Sequence, residues 1–204
     1  GRIPSYRFTG VSSDGRALEI LITQQGGHCL NFMFDPDASL SGLLPTPQRG
    51  SELGEIGREF LKSRGLSSME PTYAQYYSGV ATINYAYVQD GVMIYNVLIK
   101  VWVEIGSGKV IGYDANNYLF SHVPRTIPAA EITPEEARAR VSSALSIESV
   151  KQALIPISIA EEVYCYEFKG TFGGDSFIVY INALTGEEEQ ILRIIDSEQG
   201  QLTL

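Results

Sequence analysis

One short arrangement occurs twice in this chain. Tyr6-Arg7-Phe8-Thr9-Gly10 and Tyr166-Glu167-Phe168-Lys169-Gly170 share the form Tyr-x-Phe-x-Gly, and each is followed by a glycine-containing turn and an apolar strand. A second pair agrees with it: the strand at Lys100 runs into Ser107-Gly108-Lys109 as the strand at Phe177 runs into Thr185-Gly186-Glu187. Internal self-similarity of this kind restricts the fold to copies of one small unit, each needing a cover for its apolar face.

Alternation of apolar and polar residues marks the strands. Tyr6 and Phe8 share one face; Leu18, Ile20 and Ile22 follow the turn at Ser13-Asp14-Gly15, and Leu30, Phe32 and Phe34 follow Gly26-Gly27, so residues 1–35 read as a meander. Asp35 to Gly50, with three prolines, reads as a linker. Ser51 is the expected cap of a helix over 51–64 whose stripe is Leu53, Ile56, Phe60 and Leu61. From Tyr76 strands return, at Val80–Val88, Val92–Glu104 and Val110–Tyr113 around the turns Asp90-Gly91 and Gly106-Ser107-Gly108. Lys100 and Glu104 are expected on the outer face of the long strand, opposite Val97, Ile99, Val101 and Val103.

A second proline-bearing linker, Ser121–Ala130, leads into Thr133-Pro134-Glu135-Glu136, a capping box with proline in the first helical position. A helix over 134–145 is expected there, then strands near Val150, Val163–Lys169, Phe177–Asn182 and Glu189–Ile194. Helix followed by meander therefore occurs twice, after a first meander whose own helix is expected to have been cut off. The predicted class is α+β: three tandem units, each a small antiparallel sheet covered by a helix except the first, bounded at 1–47, 48–122 and 123–204.

The residues quoted from both repeats resemble the PepSY domain family, in which a short helix packs on a small antiparallel sheet and a strand leads into a (Ser/Thr)-Gly-(Lys/Glu) turn. The run Cys165 to Thr171, then Gly174-Asp175, Tyr180 to Ala183 and Thr185 to Glu188, is similar to the spore germination members of that family, and Tyr118-Leu119, His122, Arg125, Ile127-Pro128 and Thr133 to Ala137 agree in order. The resemblance implies an extracytoplasmic, non-catalytic protein of the spore envelope, on the outer face of the inner spore membrane towards the cortex. Its implied partner is a cortex-lytic enzyme of the SleB type, which it would bind, retain and restrain.

Composition excludes some alternatives. With 44% hydrophobic and 19% charged residues the chain can bury a core. A net charge of −9 opposes contact with nucleic acid or anionic lipid. No apolar run reaches the roughly 18 residues that span a bilayer, so membrane attachment is expected only through an N-terminal anchor outside this sequence.

The chemistry-bearing residues point away from catalysis. Cys29 and Cys165 lack metal-ligand spacing, and His28, beside Cys29 in a strand, projects to the opposite face. Cys165 is expected on an outer sheet face, open to cover by a neighbouring unit. Glu135-Glu136, Glu161-Glu162 and Glu187-Glu188-Glu189 could furnish a glycosidase pair, the alternative being a cell-wall-active or sugar-binding protein, but a helix start and turns are where solvated acids also sit. Asp35-Pro36-Asp37 is too short for a calcium loop, and Gly106-Ser107-Gly108-Lys109 lacks the spacing of a phosphate loop. No cofactor or metal is expected.

What remains is a surface. Tyr73, Tyr76, Tyr77, Tyr85, Tyr87 and Tyr95 could stack on a partner or pack within a sheet. The segment Val80–Tyr95 carries a single formal charge, Asp90, and free strand edges are usually guarded by charge. It is therefore either covered internally or used for binding; if used, Tyr85, Tyr87 and Tyr95 are the expected contacts.

Overall fold

A computed structural model describes all residues except 1–2, 38, 40–41, 159–160, 198–199 and 204. The chain is α+β, and it divides into two compact units. The first comprises Gly1–Ala86, Val97–His122 and Glu198–Gly200; the second comprises Tyr87–Asn96, Val123–Ser197 and Gln201–Leu204.

In the first unit β1 (Ser5–Val11), β2 (Ala17–Thr23) and β3 (Cys29–Phe34) form the predicted meander, with Tyr6 opposite Ile22, Phe8 opposite Ile20 and Ile20 opposite Phe32. The helix α1 (Pro47–Ser63) comes next, then β4 (Met69–Tyr77), β5 (Val80–Gln89), β6 (Val92–Glu104), β7 (Val110–Asp114) and a short helix α2 (Asn116–Ser121). The first meander is not a sheet of its own, contrary to expectation. Phe32 pairs with Tyr113 and Met33 with Gly112, which joins β3 to β7, so the order runs β1-β2-β3-β7-β6-β5-β4.

Helix α1 begins earlier than its apolar stripe suggests. The Thr46 hydroxyl accepts from the Arg49 N–H at 3.2 Å and Pro47 opens the first turn, whereas Ser51, the expected cap, donates to the Pro47 carbonyl inside the helix. Leu53, Gly54, Gly57 and Leu61 form its buried side. Phe60 packs edge-on against Phe32 and Tyr113, with centroids 6.0 and 5.9 Å away. Strand β4 was hidden in the sequence by Pro71 and by weak alternation.

The second unit holds α3 (Pro134–Arg138), β8 (Ser146–Pro156), β9 (Glu162–Phe172), β10 (Asp175–Asn182) and β11 (Glu188–Ser197), paired in the order β8-β9-β10-β11. Strand β12 (Gly200–Thr203) follows. The hairpin β5–β6 is shared: residues 87–96 belong to this unit, and Val92, Met93 and Ile94 pair in parallel with Gln152, Ala153 and Leu154. An all-antiparallel unit was expected; the parallel rung arises from a strand supplied from earlier in the chain.

Helix α3 has the predicted capping box, Thr133 Oγ1 accepting from Glu136 N at 3.2 Å and Glu136 Oε2 from Thr133 N at 2.7 Å, but it stops at Arg138 rather than 145. The next amides bond three residues back, Arg140 to Ala137 and Val141 to Arg138. Ser142 Oγ then accepts from Ala144 N at 3.3 Å. Serine side chains compete in this way for the backbone bonds a helix needs.

Candidate partner-binding surface

The three expected tyrosines occupy different environments. Tyr85 is fully buried, and its hydroxyl donates to the Gly54 carbonyl of α1 at 2.8 Å. Burial raises its pKa well above the usual tyrosine range. Tyr85 is therefore a core residue, and the expectation that it meets a partner is corrected: α1 covers β5 at Tyr85, and most of the uncharged run 80–86 is buried.

Tyr95 is half-buried and donates to Glu167 Oε2 at 2.6 Å. Tyr180 donates to the same oxygen at 3.1 Å, and Lys151 Nζ lies 3.3 Å from Oε1. Desolvation, reinforced by the Glu167 charge, drives both phenol pKa values far upward. Tyr87 is half-buried as well. Tyr73 and Tyr77 on β4 are exposed.

Two buried carboxylates were assigned to outer faces or passed over in the sequence. Glu104 is 3% exposed rather than outward-facing: it forms an ion pair with Arg16 and accepts from Ser107 Oγ at 2.7 Å and Asp37 N at 3.3 Å. Glu167 is equally buried, under Tyr95, Tyr180 and Lys151. Both are neutralised by several partners, as buried charge requires, and only the register of distant strands could have revealed those partners.

Three further acidic residues, Glu162, Glu136 and Glu189, are likewise occupied. Glu162 binds Arg125 at 2.9 Å and accepts from Asn96 at 2.9 Å; the Arg125 bond is the main reason its pKa falls below the ordinary value. Glu136 closes the helix cap, and Glu189 accepts from Asn182 at 2.7 Å. Cys165, expected on an outer face, is fully buried, and desolvation pushes its thiol up to about 12. Cys29 is half-buried, and burial raises its thiol pKa too. Among the described residues no three His, Cys, Asp or Glu side chains are grouped to hold a metal. No described helix is long and apolar enough to cross a membrane.

One exposed apolar edge was not singled out by the sequence. Strand β1 ends the sheet order of its unit and pairs only with β2 among the described residues. Tyr6, Phe8 and Val11 are 56%, 55% and 73% exposed, and the only charge on the strand, Arg7, lies 3.4 Å from Glu19. On the α1 side of this sheet, coverage falls off strand by strand: Phe32 is buried against Phe60 and Tyr113, Ile20 is half-buried and Phe8 is open. On the opposite face lies a cleft of about 520 Å³, lined by Arg7, Asn31, Asn116, Asn117 and Phe120 among others and without a carboxylate. Its walls do not bring together the paired acids that glycoside hydrolysis uses.

Comparison with known proteins places these features in a family. Residues 1–128 match the family described as "YpeB sporulation, PepSY1 and PepSY2 domains", and residues 131–191 match "Peptidase propeptide and YPEB domain". The sporulation protein YpeB of Halalkalibacterium halodurans is 32% identical over 177 residues, covering 87% of this chain and 38% of that protein. The Bacillus subtilis sporulation protein YpeB is 33% identical over 141 residues, 68% of this chain and 31% of that one. The chain thus spans about a third of the length of the curated relatives it matches. The solved Bacillus megaterium YpeB C-terminal domain superposes with a TM-score of 0.83 at 27% identity, covering 96% of this chain and 85% of that chain. Matched by one family description across residues 1–128 and by a second across most of the rest, this chain belongs to the YpeB sporulation family and carries its PepSY domains.

Proposed function

We propose that this chain is the non-catalytic, extracytoplasmic part of a spore-envelope protein that binds, retains and restrains a cortex-lytic enzyme of the SleB type. The observation that carries this reading is the β1 edge: a strand paired only with β2 among the described residues, with two exposed aromatic side chains and one ion-paired charge. Soluble proteins guard such edges, because a row of free N–H and C=O groups recruits another strand. A partner segment added along β1 would gain main-chain hydrogen bonds from the edge and specificity from Tyr6 and Phe8. Tyr87 and Tyr95 keep some exposure and stay within this reading as further contacts; Tyr85 does not.

The repeat boundaries at 1–47, 48–122 and 123–204 belong to the same proposal. Their support is the paired helix start, Thr46-Pro47 at the junction of the first two repeats and Thr133-Pro134 in the third.

Mixing the chain with purified SleB-type enzyme tests the reading, with binding and lytic activity on cortex measured together. The wild-type chain is expected to bind and to lower the lytic rate. Tyr6→Lys and Phe8→Lys should each weaken binding about tenfold or more, as for an aromatic anchor, with little change in thermal midpoint. A folded chain that leaves the enzyme unbound would refute the function; unaltered affinity in both variants would remove β1 from the interface.

A further inference from the structure

The second unit contains an open groove on its sheet at the place where the first unit carries a long helix on its own sheet. Both helices start alike, each with a threonine whose hydroxyl accepts from the third backbone N–H and a proline in the first turn. Both starts sit beside the same repeat turn: a side chain at Gly108 would meet Ile56 and Arg49, and one at Gly186 would meet Ile132 and Arg140. From that shared start α1 runs 17 residues, burying Leu53, Gly54, Gly57 and Leu61. Helix α3 runs five residues and stops.

The sheet face beyond the stop is apolar and open. Gly170, Phe172, Phe177, Val179 and Ile191 share one side of β9, β10 and β11 by register, the side on which Tyr166 donates to the Ile132 carbonyl and Leu145 approaches Gly170. Val179 is buried at the floor, while Phe172 and Ile191 are 57% and 51% exposed. With Val141, Ala144 and Leu145 these side chains line a groove of about 220 Å³. The groove's own ionisable residue is Glu188, which has no ion-pair partner among the described residues; the nearby Arg193 is taken by Asp175 at 2.8 Å.

We propose that this groove receives an amphipathic helix of a protein partner, about three turns long, with basic residues along the edge that meets Glu188. The shape follows from the repeat, since the corresponding sheet of the first unit is covered by helical turns, and apolar anchors at helical spacing are what such a groove reads. The charge follows from Glu188 and from the net −9 of the chain, both of which favour a cationic helix and oppose an anionic one. The groove belongs to the second compact unit and the β1 edge to the first, so this surface goes beyond the function proposed above.

Two synthetic 14-residue amphipathic peptides test it, one of leucine and lysine and one of leucine and glutamate, each labelled for fluorescence anisotropy and followed by circular dichroism. The leucine–lysine peptide should bind and gain helicity, and the leucine–glutamate peptide should bind about tenfold more weakly or not at all. Ile191→Asp should reduce binding of the leucine–lysine peptide about tenfold, and Glu188→Gln should narrow the gap between the two peptides; Phe8→Lys should change neither. Equal binding by the Ile191→Asp chain, its fold verified by its thermal midpoint, would mean surface adsorption and would overturn the groove, as would no binding by the wild type. Because cortex-lytic enzyme is not part of this measurement, a groove that fails while the enzyme still binds refutes only the groove. Peptide binding without enzyme binding refutes only the proposed function.

Discussion

At Gly57 the missing side chain lets Tyr85 reach the helix, because a Cβ there would lie 2.1 Å from the Tyr85 hydroxyl oxygen. Read from sequence, Gly54 and Gly57 weaken α1, and alanine is the better helix former by about 1 kcal/mol. Packing reverses the sign. Gly57→Ala should destabilise the chain by about 2 kcal/mol through overpacking, measured by urea denaturation, and Tyr85→Phe added to it should recover part of the loss. A stabilised single variant would show that Tyr85 can move aside. Glu162 gives a pH dependence of defined sign. Its folded pKa is held below the ordinary 4.5, chiefly by Arg125, so its contribution is fully present above that value and is lost as pH falls through the folded pKa. Arg125→Gln should therefore be less stable than wild type at pH 6, and the gap should narrow as pH falls through the folded pKa of Glu162; a gap constant with pH would exclude the ion pair as its source.

At the scale of elements, the turns and the helix start at Thr133 were legible because their chemistry is local, whereas α1 starts at Thr46 rather than the expected Ser51. Asp90 and Gly91 take φ of 52° and 82° in the β5–β6 hairpin, as an Asp-Gly turn predicts. The Thr133 capping box was read correctly from four consecutive residues. Helix lengths were not legible: α3 stops at Arg138, after which the Arg140 and Val141 amides bond three residues back, and α1 continues through two glycines with Tyr85 bonded to the Gly54 carbonyl. Thr133→Ala should cost about 1 kcal/mol, read from the denaturation midpoint, with the circular dichroism helix signal falling little because α3 is five residues long. A much larger loss would show that the cap also orders the chain beyond Arg138.

For the whole molecule, the sequence boundary at 122/123 and the compact units disagree in one informative place. Residues 87–96 are contiguous with the middle repeat in sequence but belong to the second unit, where Tyr95 binds Glu167, Asn96 binds Glu162 and β6 pairs with β8. A piece made as 123–204 should therefore fold poorly, since it leaves Glu167 short of a partner and one edge of β8 unpaired. Its circular dichroism and amide spectra should be those of a largely unfolded chain. A well-dispersed spectrum from that piece would show that the third repeat is independent of the hairpin.

The sequence by itself determined the α+β class, most strands and the capped helix start at Thr133, all of which depend on residues close together along the chain. Tertiary structure decided which strands became neighbours, and with that which side chains lie inside. Tyr85 was a surface candidate until β5 was placed under α1, Glu104 an outward charge until Arg16 was brought to it, and β1 an ordinary strand until it ended the sheet order. Burial is a property of neighbours that can be a hundred residues away, so alternation within a strand gives its two faces but not what covers each of them.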